Sequence, residues 1–445
     1  MRYAVNLLTM SIFNFYGEDG MNSNRFNGNQ LRIAHFTWEF PPAIWGGLGT
    51  FATELTQKQV SMGHEVTVFA VNTENRLIPE ENWHGVKVFR PKTLDLTPGL
   101  ILFSNNDLKS WGEHFPFFSQ VIGYNVMSVS TLVHNLVEER GENYDIIDAH
   151  DWLGIIGGMI AKRELDLPLI FHIHSTEYGR SGGSGGSPTI NYIERKGGEA
   201  ADGIITVSYA MKEELQRLGF PKEKIRVCWN GIDPYKYNPD VIPLEQRMLL
   251  RKQYGIKENE IFLFFIGRLV AVKGCEQLIH AMPHIVREHP NVKLVMLGVG
   301  DLEHSIRVLI DKYNLHHHVT LRTEFVPEQE RILHYAAADI VVLPSLYEPF
   351  GIVCTEAMAM AKPVVVGAQG TSGLREQVIP NGDKQCGIHI NPYDPEDIAW
   401  GVTQLLDSEE KRIWMGRNGR QRVFEEFTWD AVAEDTLAVY SEFLH

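Results

Sequence analysis

The sequence predicts an α/β protein built from two doubly wound, Rossmann-like domains that face one cleft. Its 445 residues exceed what one ordinary hydrophobic core organises. Short apolar runs alternate with stretches of helical period, as parallel strands do with their crossover helices. The alternation stops at a polar stretch, 233–260, and then begins again, which divides the chain.

The elements follow in order. Residues 1–30 read as a flexible N-terminal extension: the segment 4–15 is short, carries Asn6 and Asn14, and lacks the small-x-small cleavage site of a signal peptide. An apolar run at 31–37 leads through a loop, Trp45-Gly46-Gly47-Leu48-Gly49, to a helix over 50–61 closed by Gly63 and a strand over 65–70. Further strands are predicted at 146–149, 169–174, 203–207 and 225–228, so an N-terminal domain fills 31–225. Beyond the polar stretch, strand-like runs at 261–266, 292–298, 340–344 and 363–367 make a C-terminal domain over 226–426. The last segment, 427–445, is an amphipathic helix after the final sheet signal, so it must pack on what is already built, at the hinge and back on the first domain. The glycine-serine patch at 179–187 predicts a loop that stays mobile unless a ligand orders it. Sheets of this kind bind ligands at the carboxyl ends of their strands, which here would line opposite walls of the cleft.

Composition narrows the partners. With 44% hydrophobic and 22% charged residues the chain is globular in type, and a net charge of -15 argues against nucleic acid or an anionic bilayer as its main partner. No apolar run approaches the roughly 20 residues of a membrane helix, so no transmembrane segment is expected. Cys228, Cys275, Cys354 and Cys386 form no Cys-x-x-Cys pair, which suits reduced thiols in the cytoplasm rather than a disulfide frame or a zinc site. The pattern sets no oligomeric state.

The sharpest constellation is Glu348-Pro349-Phe350-Gly351-Ile352-Val353-Cys354-Thr355-Glu356, which follows a strand and opens a helix. Glu348 lies before the helix and Glu356 two turns inside it. Carboxylates hold diols through charge-assisted hydrogen bonds, and the free N–H groups near Gly351 and Ile352 suit a diphosphate. Glu348 could equally be a helix-start residue with no ligand. Arg268 and Lys273, in the loop after the strand 261–266, could clamp a leaving diphosphate, or could be two solvated surface cations. Gly46 and Gly47 let backbone N–H groups approach a phosphate or sugar closely on the other wall.

Together these motifs resemble the GT-B glycosyltransferases of group 1, which include glycogen synthases and sucrose synthases. The resemblance spans about 31–440 and rests on Glu348 and Glu356 with seven residues between them, Arg268 with Lys273, Asn230-Gly231-Ile232-Asp233, Pro344-Ser345, Glu356-Ala357-Met358-Ala359 and Lys362-Pro363-Val364-Val365. It implies a GT-B fold in which the first domain takes the acceptor and the second the nucleotide-sugar donor. By position it implies that Glu348 holds the donor hexose, Glu356 the ribose, and the backbone at Phe350, Gly351 and Ile352 the hexose and phosphates. Arg268 and Lys273 match the diphosphate pair, and Asn230 belongs to the donor side. Ala149-His150-Asp151-Trp152-Leu153 is similar to a glycogen-synthase segment whose histidine reaches the donor sugar; the alternative is a core histidine bonded to Asp151. Thr176-Glu177-Tyr178-Gly179-Arg180 and Trp38-Glu39-Phe40-Pro41-Pro42 also resemble that branch, whereas Gly370-Thr371-Ser372-Gly373-Leu374-Arg375-Glu376 departs from the Gly-Gly pair usual at that place.

The resemblance implies a hexosyltransferase that moves glucose from ADP- or UDP-glucose to a glucan or small sugar with retention of configuration. Other hexoses, lipid or sugar-phosphate acceptors, and a sugar-nucleotide epimerase of the same fold stay open. The donor is a cosubstrate, and no cofactor is expected. No metal is expected either: the chain holds no Asp-x-Asp, and the consecutive His316, His317 and His318 do not converge on one ion from regular backbone.

Overall fold

The computed structural model describes residues 30–444, so the expectation for 1–30 lies, Gln30 apart, outside the described residues. The first sheet contains β1 (Arg32–Phe36), β2 (Glu65–Phe69), β3 (Glu80–Trp83), β4 (Val86–Phe89), β5 (Ile146–His150), β6 (Leu169–Ile173), β7 (Gly203–Thr206) and β8 (Ile225–Val227). Its spatial order is β3-β4-β2-β1-β5-β6-β7-β8, parallel except where β3 runs against β4. The second sheet contains β9 (Ile261–Ile266), β10 (Val292–Leu297), β11 (Val319–Arg322), β12 (Ile340–Leu343), β13 (Val364–Gly367) and β14 (Gly387–Ile390). It is parallel throughout, in the order β11-β10-β9-β12-β13-β14.

The apolar runs become central strands because both faces are covered by helices. Every residue of β5, β6, β7, β12 and β13 is buried, and such strands need no polar alternation. Both sheets reverse their winding at one point. In the first, β1 is flanked by β2 and β5; in the second, β9 is flanked by β10 and β12. A crevice opens outside the carboxyl ends of the two strands at each reversal.

Three boundaries differ from the sequence expectation. Gly47, Leu48 and Gly49 form the first turn of the helix Gly47–Ser61 rather than a loop, because Gly46 takes the extended N-cap position and its carbonyl accepts from Thr50. The terminal helix runs Trp429–Ser441, capped by the Thr428 hydroxyl, while Phe427 ends the preceding helix Glu409–Glu426. The segment after Arg180 is tied down: the Glu177 carboxylate accepts from the Ser187 amide at 2.9 Å, and Asp107 accepts from the Ser187 hydroxyl at 2.7 Å.

The terminal helix closes the molecule. Trp429, Val432 and Ala433 pack on Phe51 and Leu55 of the helix Gly47–Ser61, and Leu437, Val439 and Tyr440 join the core beneath β1 and β2. Its base is pinned to the linker, where the Ile232 amide donates to the Phe427 carbonyl at 2.8 Å. Trp429 leaves no room for a side chain at Gly231, where an added Cβ would stand 2.6 Å from the indole. Among the described residues no helix is long and apolar enough to cross a membrane, and Cys228, Cys275, Cys354 and Cys386 are free and buried.

Candidate functional site

One wall of the cleft, the one expected to take the donor, grows from the switch point of the second sheet. The loop after β9 carries Arg268 and Lys273; the loop after β12 carries Glu348 and leads to the helix Ile352–Ala359. Because β9 and β12 are neighbours, the two loops leave the sheet side by side. The Val272 carbonyl joins them by accepting from the amides of Leu346 at 2.8 Å and Tyr347 at 3.2 Å. Gly274 turns the first loop with φ 69°, and a Cβ there would stand 1.9 Å from the Pro344 oxygen, so only glycine permits this approach.

Lys273 Nζ donates to Glu348 Oε2, and the Ser345 hydroxyl lies 3.4 Å from the same oxygen. Both ends of the ion pair are mostly shielded, with side chains 18% and 9% exposed, so each is the other's counter-charge. Arg268 is exposed and carries no ion pair among the described residues. Gly351 caps the helix in the left-handed region at φ 99°; a Cβ there would meet Leu374 at 2.5 Å and the Glu348 side chain at 3.0 Å. The Phe350 ring points inward and meets Phe427 edge to face at 6.0 Å, so Phe350 can offer a ligand its backbone only.

Glu356 is buried, one turn deeper, and both its oxygens are engaged. Tyr237 donates to Oε1 at 2.8 Å and Tyr335 to Oε2 at 2.7 Å, with Arg331 4.0 Å away. Burial first, and then the neighbouring carboxylate, pushes the Tyr335 hydroxyl far above its ordinary range and keeps it a donor. Asn230 lies in the linker beside the terminal helix; it is buried and its Oδ1 has no partner among the described residues. The segment 370–376, the departure noted in the sequence, is built into the same wall. The Glu348 amide donates to the Thr371 carbonyl at 3.0 Å, and the Gly373 amide to the Glu348 carbonyl at 2.8 Å.

The opposite wall grows from the switch point of the first sheet, after β1 and β5. Glu39 folds the first loop by accepting from the amides of Trp45 and Gly46, each at 2.9 Å. This sets Gly47 across from the donor helix, where an added Cβ would lie 3.6 Å from the Ile352 side chain. Gly46 and Gly47 therefore face the N-terminus of the helix Ile352–Ala359 across the cleft, while Gly46 has open space around it.

His150 ends β5 and is fully buried. Its Nε2 lies 3.1 Å from His35 Nδ1, and its Nδ1 lies 3.2 Å from His174 Nε2. The structure does not pair it with Asp151, whose carboxylate instead accepts from the His174 amide at 2.8 Å. Strand register builds the group: His35 aligns with Asp148, His150 aligns with His172, and Asp148 and His172 sit 3.4 Å apart. The rings stack nearly parallel, with Phe51 edge-on to His150, His172 and His174. Burial pushes the His150 imidazolium down, to about 3, and lowers those of His35 and His174. His316 pairs with Asp311 and His318 with the Val292 carbonyl, so these two side chains are engaged separately.

His174 leads into Thr176 and Arg180, the segment that borders the cleft. Arg180 donates to the Ser175 hydroxyl at 2.8 Å and to Glu194 at 3.1 Å. Burial pushes the Glu194 carboxyl up, to about 8, against the pull of Arg180. The sequence reading missed Glu194, Tyr237, Tyr335, Glu214 and the full histidine group. Alternation marks the histidines, as Asp-x-His and His-x-His at two strand ends, but only register shows that the strands are neighbours.

The chain is similar to known proteins. Residues 246–422 match the family model described as glycosyl transferases group 1, and residues 45–236 match that described as glycosyltransferase family 4. An uncharacterised glycosyltransferase of Methanocaldococcus jannaschii is 34% identical, over 92% of this chain and 98% of its own. A glycogen synthase of Mycobacterium tuberculosis is 32% identical, over 92% and 94%. Among solved structures, the catalytic domain of starch synthase IV from Arabidopsis thaliana, bound to ADP and acarbose, superposes with a TM-score of 0.69 at 20% identity, covering 93% of this chain and 99% of that domain.

Proposed function

Because the chain belongs to the group 1 glycosyltransferases of GT-B fold, we propose that it transfers glucose from ADP- or UDP-glucose to a glucan or small sugar acceptor, with retention of configuration. The observation that carries this reading is the Lys273–Glu348 pair at the switch point of the second sheet, opposite Gly46 and Gly47. It puts a carboxylate for hexose hydroxyls beside cations for a diphosphate. The likeness to a glycogen synthase, and the ADP and acarbose held by the starch synthase, support glucose and a glucan.

In this reading the diphosphate lies over the N-terminus of the helix Ile352–Ala359 with Arg268 and Lys273 beside it. As the bond from the anomeric carbon to the phosphate oxygen breaks, negative charge grows on the leaving group, and fixed cations stabilise it without reorganising. The acceptor hydroxyl attacks from the same face, and its proton passes to the departing phosphate oxygen, which gives retention. Glu348 keeps the hexose in register, and Glu356 takes the ribose hydroxyls by exchanging its tyrosine partners. His150 acts through His174 at the sugar end. The enzyme works without a metal or cofactor, in the cytoplasm, where its four buried thiols stay reduced.

The test is a donor panel of ADP-glucose, UDP-glucose and GDP-mannose against glycogen, maltose and glucose phosphates, with and without EDTA. Glucosyl transfer that survives the chelator is expected. Transfer from GDP-mannose alone would refute glucose as the sugar, and loss of activity in EDTA would refute metal independence.

A further inference from the structure

One buried carboxylate joins the two walls. Glu214, on the first-domain helix Tyr209–Arg217, is 2% exposed. It accepts from the Thr176 hydroxyl on the acceptor side, and from the Thr371 hydroxyl at 2.6 Å and the Tyr347 hydroxyl at 3.3 Å on the donor side. Tyr347 directly precedes Glu348, and Thr371 holds the Glu348 amide. Both donor-side partners therefore belong to the backbone that sets the hexose-gripping carboxylate. Thr176 is also the N-cap of the short helix Glu177–Arg180, accepting from the Gly179 amide at 3.0 Å.

The Tyr347 ring completes the joint. It lies against Gly179 so closely that a Cβ there would stand 2.0 Å from the ring Cζ, and its hydroxyl is 3.4 Å from the Thr176 amide. Only glycine lets the acceptor-side backbone rest on this ring. The contact joins chain segments some 170 residues apart that belong to different domains.

We propose that Tyr347, anchored on Glu214, is the positioning residue that couples the donor loop to the acceptor-side segment 176–187. Closure of the donor wall seats the ring under Gly179 and its hydroxyl on Glu214, beside the Thr176 cap, and fixes the segment over the hexose held by Glu348. Opening withdraws the ring and frees the segment to admit or release an acceptor. Tyr347 acts through Thr176 and Gly179 and need not touch substrate. The role in transfer rests on the glucosyl-transfer reading above; the joint itself does not.

Two measurements on the full chain separate these claims. In the ligand-free protein, Tyr347→Ala is expected to speed hydrogen exchange of the amides in 176–187 about tenfold while those of β6 keep their protection. Equal exchange in both proteins overturns the joint, whether or not the protein is a transferase. With the donor and acceptor found by the panel, Tyr347→Phe is expected to raise the acceptor KM about fivefold, to leave the donor KM within about twofold, and to increase donor hydrolysis relative to transfer. An unchanged acceptor KM and hydrolysis ratio overturns the positioning role. Failure of the wild-type chain to transfer any sugar counts against the functional reading alone, and the exchange result then decides the joint.

Discussion

At the scale of single residues, the site turns on Lys273 and Glu348. The sequence put one in a diphosphate clamp and the other on the sugar; the structure makes them one ion pair, which spacing alone does not reveal because β12 lies 67 or more residues beyond Lys273. Lys273→Ala and Glu348→Ala are each expected to lower kcat/KM about 100-fold or more, measured as nucleotide release, with the circular dichroism of the fold retained. Either change also strands a shielded charge. A single removal should cost about 3 kcal/mol in urea unfolding, and the double variant Lys273→Met with Glu348→Gln should cost less than the two singles combined. Additive losses would mean that the pair is not coupled. Glu214 was illegible for a different reason. It sits in Lys212-Glu213-Glu214-Leu215, which reads as a solvated helix face, and only tertiary packing distinguishes buried Glu214 from exposed Glu213.

Elements carry the next set of consequences. Strands buried on both faces were legible as apolar runs, whereas β3, β4, β11 and β14 were not; β3, β11 and β14 are edge strands, and β4 is the short strand next to the edge. An edge needs no continuous apolar run: β3 reads Glu-Glu-Asn-Trp and β11 Val-Thr-Leu-Arg. The loop between β12 and its helix depends on Gly351, so Gly351→Ala is expected to destabilise the protein by about 2 kcal/mol or more and to displace Glu348, seen as lowered stability together with lost turnover. The stack at the ends of β1, β5 and β6 makes stability depend on pH. Burial lowers His35, His150 and His174 below the ordinary histidine value of 6.5, and it brings His389 on β14 down to about 4. Below 6.5 the unfolded chain binds protons that the fold excludes. The histidine contribution to stability should therefore rise with pH across the window from about 4 to 6.5 and level off above it, while Glu194, raised by burial to about 8, contributes in the opposite sense between 4.5 and 8. Thermal unfolding between pH 5 and 8 reads this directly, and a midpoint that does not fall below pH 6.5 would show that the stack accepts protons without cost.

For the whole molecule, the division into two similar domains was legible because the strand–helix rhythm stops and restarts. How they face each other was not, since no local pattern encodes the contacts of Gly47 with Ile352 or of Tyr347 with Gly179. The terminal helix belongs to this scale: it follows the second domain in sequence yet completes the core of the first, where Tyr440 donates to buried Asp148. Ending the chain after Glu426 would expose Phe51, Leu55 and the core beneath β1, so the truncated protein is expected to aggregate on expression rather than form two independent domains. Whether this cleft moves glucose from a nucleoside diphosphate to a sugar acceptor on one face of the anomeric carbon is decided by proton NMR of the product made from an α-linked ADP- or UDP-glucose donor. An α-linked glucoside formed in step with nucleoside diphosphate release is expected; a β-linked product, or nucleotide release with no glycoside formed, would contradict retaining glucosyl transfer.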